Sequence, residues 1–592
     1  MKHTYSVIFL LITIITLSTI NSLSQESAPK PSFFQISGSV SMNADFYSFS
    51  ASPDSAQKGR RPPSLYRLMF SPTLKFGDYL SIPFNFILSS PEANPTSMAL
   101  VAPTLMQYLQ NPANALSFAP KIGWAEFFVG NQSPNYSQLS AGDQQLLGLG
   151  FNLKPGNFQL AASAGSNQRA IETDTAKNIH GSYRRDIYMA RVAFGSEKSS
   201  FIGFNVIRAK DAANSIKSNI TGITAEHSAL IDSSTVIIPA DTTRLRAEEG
   251  YVASVDGKFT IIEGVSINGE VSLSSFTRDL SSAEMQISGN PLNSIQTTRT
   301  STRADFAGSA AIKILQKTYG ISLSGLYIGA GFKPVGFTFM QSDRIELKAA
   351  PYLRLFNNKF SLSGSIGERI NNISKTKTET STQMIGSVNM NADIIDELNI
   401  SAQYSNFGIR NNIALDTLRV QNVSQALSID PTVTLHKFNM THIITAGFAI
   451  DEFKDYNLVS GAESSNNTRT LLASYSIMPD SIPLSVNFLA SYMENRLSTG
   501  TLYIRSIGST FGYSFFERKL IPTFNLTASG SSNRASGTDA QLLYKFSLQF
   551  RPMKTLELRA SIGNNNYSYG NPLLYGSTFK ETLVQLAVMT QF

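Results

Sequence analysis

Residues 34–47 read FQISGSVSMNADFY. Phe34, Ile36, Gly38, Val40, Met42, Ala44 and Phe46 share one parity, and Gln35, Ser37, Ser39, Ser41, Asn43 and Asp45 share the other. Successive side chains of a strand point to opposite faces, so the stretch is a strand with one apolar and one wet face, roughly twice the usual length of about 5–6 residues. The alternation returns at Leu80/Ile82/Phe84/Phe86/Leu88, Ile345/Leu347/Ala349/Pro351/Leu353/Leu355, Met384/Gly386/Val388/Met390/Ala392, Leu484/Val486/Phe488/Ala490/Tyr492 and Leu542/Tyr544/Phe546/Leu548/Phe550. In the second of these copies the other side carries Arg344, Glu346, Lys348 and Arg354, too much charge for a protein core.

The connections are of two kinds. Tight ones carry turn chemistry: Gly77-Asp78, Lys154-Pro155-Gly156-Asn157, Glu263-Gly264, Asn357-Asn358-Lys359, Asp396-Glu397, Met478-Pro479-Asp480-Ser481 and Glu517-Arg518-Lys519. Long polar ones fall near 90–117, 166–185, 208–249, 277–302, 329–342, 369–381, 407–422, 451–465, 530–540 and 566–580. Short turns on one side and long loops on the other predict an all-β fold, a single large antiparallel transmembrane β-barrel with short periplasmic turns and long extracellular loops. Hairpin counting places about 24 strands between 64–76 and 555–565; strands near 34–47 and 581–592 make about 26, within a range of about 22–28. Two short strands assumed in 118–133 are the weak part of that count.

Both ends carry expectations. Lys2 and His3 precede an apolar run from Val7 to Leu17, and Ser22 and Ser24 suit cleavage before Gln25, so 1–24 is expected to be a signal peptide and 25–592 the barrel. The final LVQLAVMTQF places Val584, Leu586, Val588, Thr590 and Phe592 on one face. Val588, Thr590 and Phe592 resemble the terminal signal read by the barrel-assembly machinery of the outer membrane. That machinery and outer-membrane lipid are therefore expected partners, in the outer membrane of a Gram-negative bacterium.

Composition agrees. The 592 residues are 42% hydrophobic and 15% charged, with no cysteine, 22 Tyr and 38 Phe, which excludes disulfide frameworks and thiolate chemistry. Mean hydropathy is -0.06, the average of a lipid face and a water face. Aromatics at strand ends, Phe46, Tyr79, Phe356, Tyr475, Tyr513 and Phe550, are candidates for interfacial girdles.

Four segments, SPNYSQLSAGDQQLLGLGFNLKPGNFQL (133–160), KDAANSI (210–216), GFKPVGFTFMQSDR (331–344) and DTLRVQNVSQALS (416–428), resemble parts of large, mostly uncharacterised outer-membrane β-barrel proteins of the Bacteroidota type. The resemblance implies an outer-membrane location and a large barrel, and carries no residue-level function.

Catalytic signatures are missing: no H-E-x-x-H, G-x-S-x-G, P-loop or EF-hand spacing occurs, so neither an enzyme nor a cofactor is expected. His436 and His442 flank a tight turn, without a carboxylate nearby in sequence for a metal site. The net charge of +7 is weak for so large a ring, and no basic face with interleaved aromatics points to nucleic acid. The expected lumen wall mixes signs: Arg344, Lys348, Arg354, Lys545, Arg551 and Arg559 against Glu270, Glu346 and Glu557, with Asp45 and Asp256. These predict a mild anion preference.

A ring of this size left empty would breach a permeability barrier, so loops or a periplasmic or surface partner protein are expected to obstruct it. The internal candidate is 90–117, where Met98, Leu100, Leu105, Tyr108 and Leu109 could form a short inward helix. The function expected is a pore or translocation channel for solutes or macromolecules. The alternative is a non-conducting scaffold that docks partners through its loops.

Overall fold

The computed structural model describes the chain except residues 1–32, 54–58, 91–112, 143, 174–180, 225–226, 232–233, 239–240, 286–288, 290–294, 335–339, 534–536 and 572–577. The expected signal peptide and the candidate constriction residues Met98 to Leu109 lie outside the described residues. One antiparallel sheet runs from Phe34–Ser52 to Thr578–Gln591, and these two strands pair from Ser39↔Gln591 to Ser52↔Thr578. The sheet therefore closes on itself and has no free edge, as a lipid-spanning sheet requires.

Ala115–Phe118 and Lys121–Ile122 pair with the same two neighbours, Leu80–Ser89 and Ala125–Gln132, on either side of Pro120. They are one strand interrupted where proline can donate no ladder bond. Counted so, the closed barrel has 26 strands, and the region around 118–133 supplies its two short ones.

The terminal residue helps to close the ring: Gly38 N donates to Phe592 O at 2.8 Å, and Phe592 N to Gly38 O at 3.1 Å. Val588 and Thr590 pair with Met42 and Val40 on the outward parity, beside exposed Leu586. Leu586→Arg is expected to cost about 2–4 kcal/mol if the site lies at the bilayer midplane. Urea titration of the refolded barrel in vesicles reads that loss.

The short turns twist as hairpins should. Phe438-Asn439 joins Gln421–Lys437 to Met440–Asp455 with φ of 57° and 54°, the positive values a two-residue type I′ turn needs. Tyr79, Trp124, Tyr319, Phe356, Phe438 and Phe516 stand exposed around this rim and form an aromatic girdle. Of the girdle candidates, Phe46, Tyr79, Phe356 and Phe550 are exposed, whereas Tyr475 and Tyr513 are half-buried.

On the opposite rim the strands run further than the alternation suggested. Phe34–Ser52 has 19 residues and Gln421–Lys437 has 17. The expected long loop at 530–540 is mostly strand, Leu520–Asn533 and Gly537–Met553, and Leu484–Leu497 joins Gly500–Tyr513 through only two residues. Beyond the hydrocarbon a strand is wet on both faces, so its hydropathy alternation fades while its hydrogen-bond ladder continues. In 213–248, Ile220–Thr224 pairs with Asp241–Arg244 and His227–Ile231 with Ser234–Ile238, forming ladders separate from the barrel sheet. Among the described residues no helix is long and apolar enough to cross a membrane.

Candidate functional site

The inner wall is unequal around the ring. On Arg184–Gly195 the outward parity carries exposed Tyr188 and Phe194, as a lipid face should. The inward parity carries Arg185, Ile187, Met189, Arg191 and Ala193, all buried. The next strands continue this inward apolar field with Ile207, Ala209, Val252 and Phe276. Apolar side chains facing a lumen would be left in water, and here they are covered.

The cover comes from residues 133–142, in the link between Ala125–Gln132 and Leu146–Leu153, which fold back into the barrel. Ala141 and Tyr136 pack on the apolar field, and Leu139 packs with Ala307, Ile328 and Phe332. Phe332 belongs to residues 329–334, which follow Tyr319–Ile328, so two inward stretches meet over one arc of wall.

Polar contacts pin the segment. Glu270, midway along Val265–Thr277 and only 6% exposed, accepts from Ser137 Oγ at 2.7 Å and from Leu139 N at 3.0 Å. Arg191 donates from Nη1 to Tyr136 O at 2.8 Å and to Asn205 Oδ1 at 2.8 Å. It also clasps Asp256 through both nitrogens, at 2.6 and 3.0 Å. Asn205 Nδ2 completes the network by donating to Ser254 Oγ at 2.9 Å and Asp256 Oδ1 at 2.8 Å. With Arg191 5% and Asp256 12% exposed, these charges are tolerable only because they are paired and hydrogen-bonded.

Gly203 leaves the room for that clasp. A Cβ there would sit 2.6 Å from Arg191 Nη2 and 2.8 Å from Asp256 Oδ1. Gly203→Ala is expected to push the pair apart and cost about 1–3 kcal/mol. Loss of protection of residues 133–142 in hydrogen exchange reads this out, alongside a lower denaturation midpoint.

A second network lies toward the long-loop rim. Arg185 binds Asp211 at 2.7 Å and Glu248 at 3.0 Å, and Lys333 Nζ reaches Glu248 at 3.1 Å. Lys333 also lies 4.2 Å from the centroid of the Phe276 ring, which fastens residues 329–334. Three of the four quoted resemblance segments, 133–160, 210–216 and 331–344, thus contribute residues to this side of the barrel. The fourth holds Asp416 and Arg419, tied elsewhere by Asn457 Nδ2, which donates to both backbone carbonyls at 2.6 Å.

A cavity of about 630 Å3 remains between residues 133–136 and the wall nearest the short turns. Asn152, Gln159, Lys154, Glu197, Arg191 and Asp256 line its polar side.

The sequence-derived charged residues are dispersed on the wall rather than gathered into one site. Glu346 holds Arg344 at 3.1 Å and Arg369 at 2.6 Å. Lys348 is exposed across from Gly367, and Arg354 lies over the Tyr352 ring at 5.3 Å. Glu557 pairs with both Arg551, at 2.8 Å, and Arg559, and Lys545 Nζ is 3.4 Å from Gln585 Oε1. Of this set, Glu270 and Asp256 belong to the covered arc. His436 does find a carboxylate, Asp480, at 3.1 Å, while His442 Nδ1 lies 2.9 Å from Tyr475 Oη. Among the described residues no group of three His, Asp or Glu could hold a metal ion.

Sequence reading missed Arg191, Asn205, Ser137 and the segment they anchor. A signal existed: DIYMARVAF (186–194) is apolar on both parities, the pattern of a strand covered on both faces.

No protein-family model and no curated protein matches this chain. Several solved outer-membrane barrels do. OccAB3 of Acinetobacter baumannii has a TM-score of 0.30 at 11% identity, over 59% of this chain and 93% of its own. The outer-membrane protein OpdK of Pseudomonas aeruginosa has 0.30 at 8%, over 67% and 100%. BauA, the ferric preacinetobactin receptor of Acinetobacter baumannii, has 0.35 at 8%, over 93% and 80%. Scores this low carry no argument, and the barrel is established by this chain's own closed ladder of strand pairs.

Proposed function

We propose that the chain is an outer-membrane pore whose passage is narrowed from within by residues 133–142 and 329–334. The observation that carries this is the buried anchoring of 133–142 on Glu270 and Arg191. The opposite wall supports it with hydroxyl and amide side chains such as Ser387, Gln403, Ser428, Asn487, Ser506 and Asn525, which share the inward parity. A wall of that kind keeps water and polar solutes, while the covered arc behaves as a core. The aromatic girdle and exposed apolar belt support a membrane location, and the asymmetry of short and long connections supports the outer membrane.

The alternative is a non-conducting scaffold, favoured by the separate ladders of 220–244, which offer a docking surface beyond the barrel. Liposome swelling with small sugars separates the two readings: a pore passes them and a scaffold does not. Deleting 93–112 in the same assay tests whether that stretch narrows the passage further; if it does, swelling rates rise. Reversal potentials under a salt gradient test the mild anion preference, which a cation-selective channel would refute.

A further inference from the structure

On the outer wall, toward the long-loop rim, four adjacent strands carry cations on the lipid-facing parity. They are Met440–Asp455, Asn466–Pro479, Leu484–Leu497 and Gly500–Tyr513. Lys454, Arg469, Arg496 and Arg505 are all exposed there, against two carboxylates, Glu452 and Glu494. The parity is set by the pairs Ile450↔Arg469, Arg469↔Glu494 and Tyr492↔Arg505, which lie above exposed Phe448, Leu471, Phe488 and Ile507.

The carboxylates are already engaged. Glu452 pairs with Lys454 at 3.1 Å and Glu494 with Arg496 at 2.7 Å. Arg469 Nε reaches only Asn467 Oδ1, at 3.3 Å, and Arg505 lies 5.8 Å from the Tyr492 centroid. Among the described residues, then, two guanidiniums on a membrane-facing wall have no anion. At the same level the following strands carry neutral Ser532 and Thr538.

Height matters. From Tyr513 to Tyr503 the strand climbs about 25 Å at roughly 3.3 Å per residue and a tilt near 40°, the height of an apolar belt. Arg505, two residues inside Tyr503, therefore stands where hydrocarbon gives way to headgroups. A guanidinium at that level is tolerated on its own and is stabilised further where an anion meets it. Planar guanidiniums match phosphate oxygens bidentately.

We propose that Arg469 and Arg505, flanked by Tyr492 and Tyr503, bind the phosphate of an outer-leaflet glycolipid whose acyl chains lie along Leu471, Phe488 and Ile507. An amphiphile is the occupant because the patch continues directly into the apolar belt, so whatever neutralises it must also lie against hydrocarbon. The proposal rests on the outer-membrane reading only for the leaflet that supplies the lipid.

The test uses the folded full chain in neutral detergent with diphosphoryl lipid A, followed by native mass spectrometry. Expected is a retained lipid whose binding weakens at least about tenfold in the Arg469→Gln/Arg505→Gln double variant, but not in Arg551→Gln, a lumenal control. Dephosphorylated lipid A on the native chain should bind equally weakly, an arm independent of any variant's folding. Equal retention by the double variant, or of the dephosphorylated lipid, overturns the proposal. So does inorganic phosphate occupying the site as tightly as the lipid, which would make it a free-anion site. Conductance is measured separately, since a chain that conducts nothing can still bind the lipid; failure of the pore reading and failure of this one are thereby told apart.

Discussion

Single-channel conductance is expected to rise about two- to threefold when residues 134–144 are replaced by a short Gly-Ser link, because conduction through a wide barrel scales with its open cross-section. The segment's Tyr136, Leu139 and Ala141 lie on the lumenal side, Tyr136 and Ala141 against Ile187, Met189, Ile207, Val252 and Phe276. Removing it exposes that apolar field to water, and a loss of stability is expected beside the gain in conductance. Glu270→Gln is the milder companion, since it keeps the side-chain shape but weakens both anchoring bonds. It should give conductance that flickers between the native level and the level of the replacement. Unchanged conductance in both variants would sink the idea that the segment narrows the passage.

Arg191→Ala is expected to lower stability by about 3–5 kcal/mol, because it strands the buried Asp256 carboxylate without its charge partner. It also removes the donors to Asn205 Oδ1 and Tyr136 O. The cost lies mainly in the uncompensated charge, so Arg191→Met/Asp256→Leu should recover most of it. Denaturant midpoints of the native chain, Arg191→Met, Asp256→Leu and their double variant form a double-mutant cycle, and simple additivity of the two single losses would contradict a directly coupled pair. Because Arg191 holds Tyr136, the single variant should also loosen 133–142 and raise conductance, whereas Leu586→Arg, on the lipid face, should not.

The ring was legible because its determinants are local. Two-residue alternation from Phe34 to Phe46 and at its later copies states that each strand has one face in lipid and one in water. Gly and Asn turns state which ends are tight. Where strands reach the headgroups and beyond, as at Gly530–Asn533, both faces are small or polar and the pattern disappears, so residues 530–540 read as loop although they are mostly ladder.

The candidate site was legible only in fragments. Glu270 stands out as an inward charge, but nothing near it in sequence says that its partners are Ser137 and Leu139, more than a hundred residues earlier. Met98 to Leu109 drew attention by being apolar, whereas 133–142 looks like an ordinary polar loop. Its role comes from the wall it meets, not from its own composition.

The sequence by itself therefore determined a closed membrane barrel of about 26 strands, since periodicity and turn chemistry act between neighbours and lipid permits no open edge. Only the tertiary structure decided what fills the ring. Ile187, Ile207, Val252 and Phe276 come from four successive barrel strands, and they become one apolar surface only when the ladder sets their register. That surface, with Arg191 and Glu270 set into it, is what draws 133–142 inside.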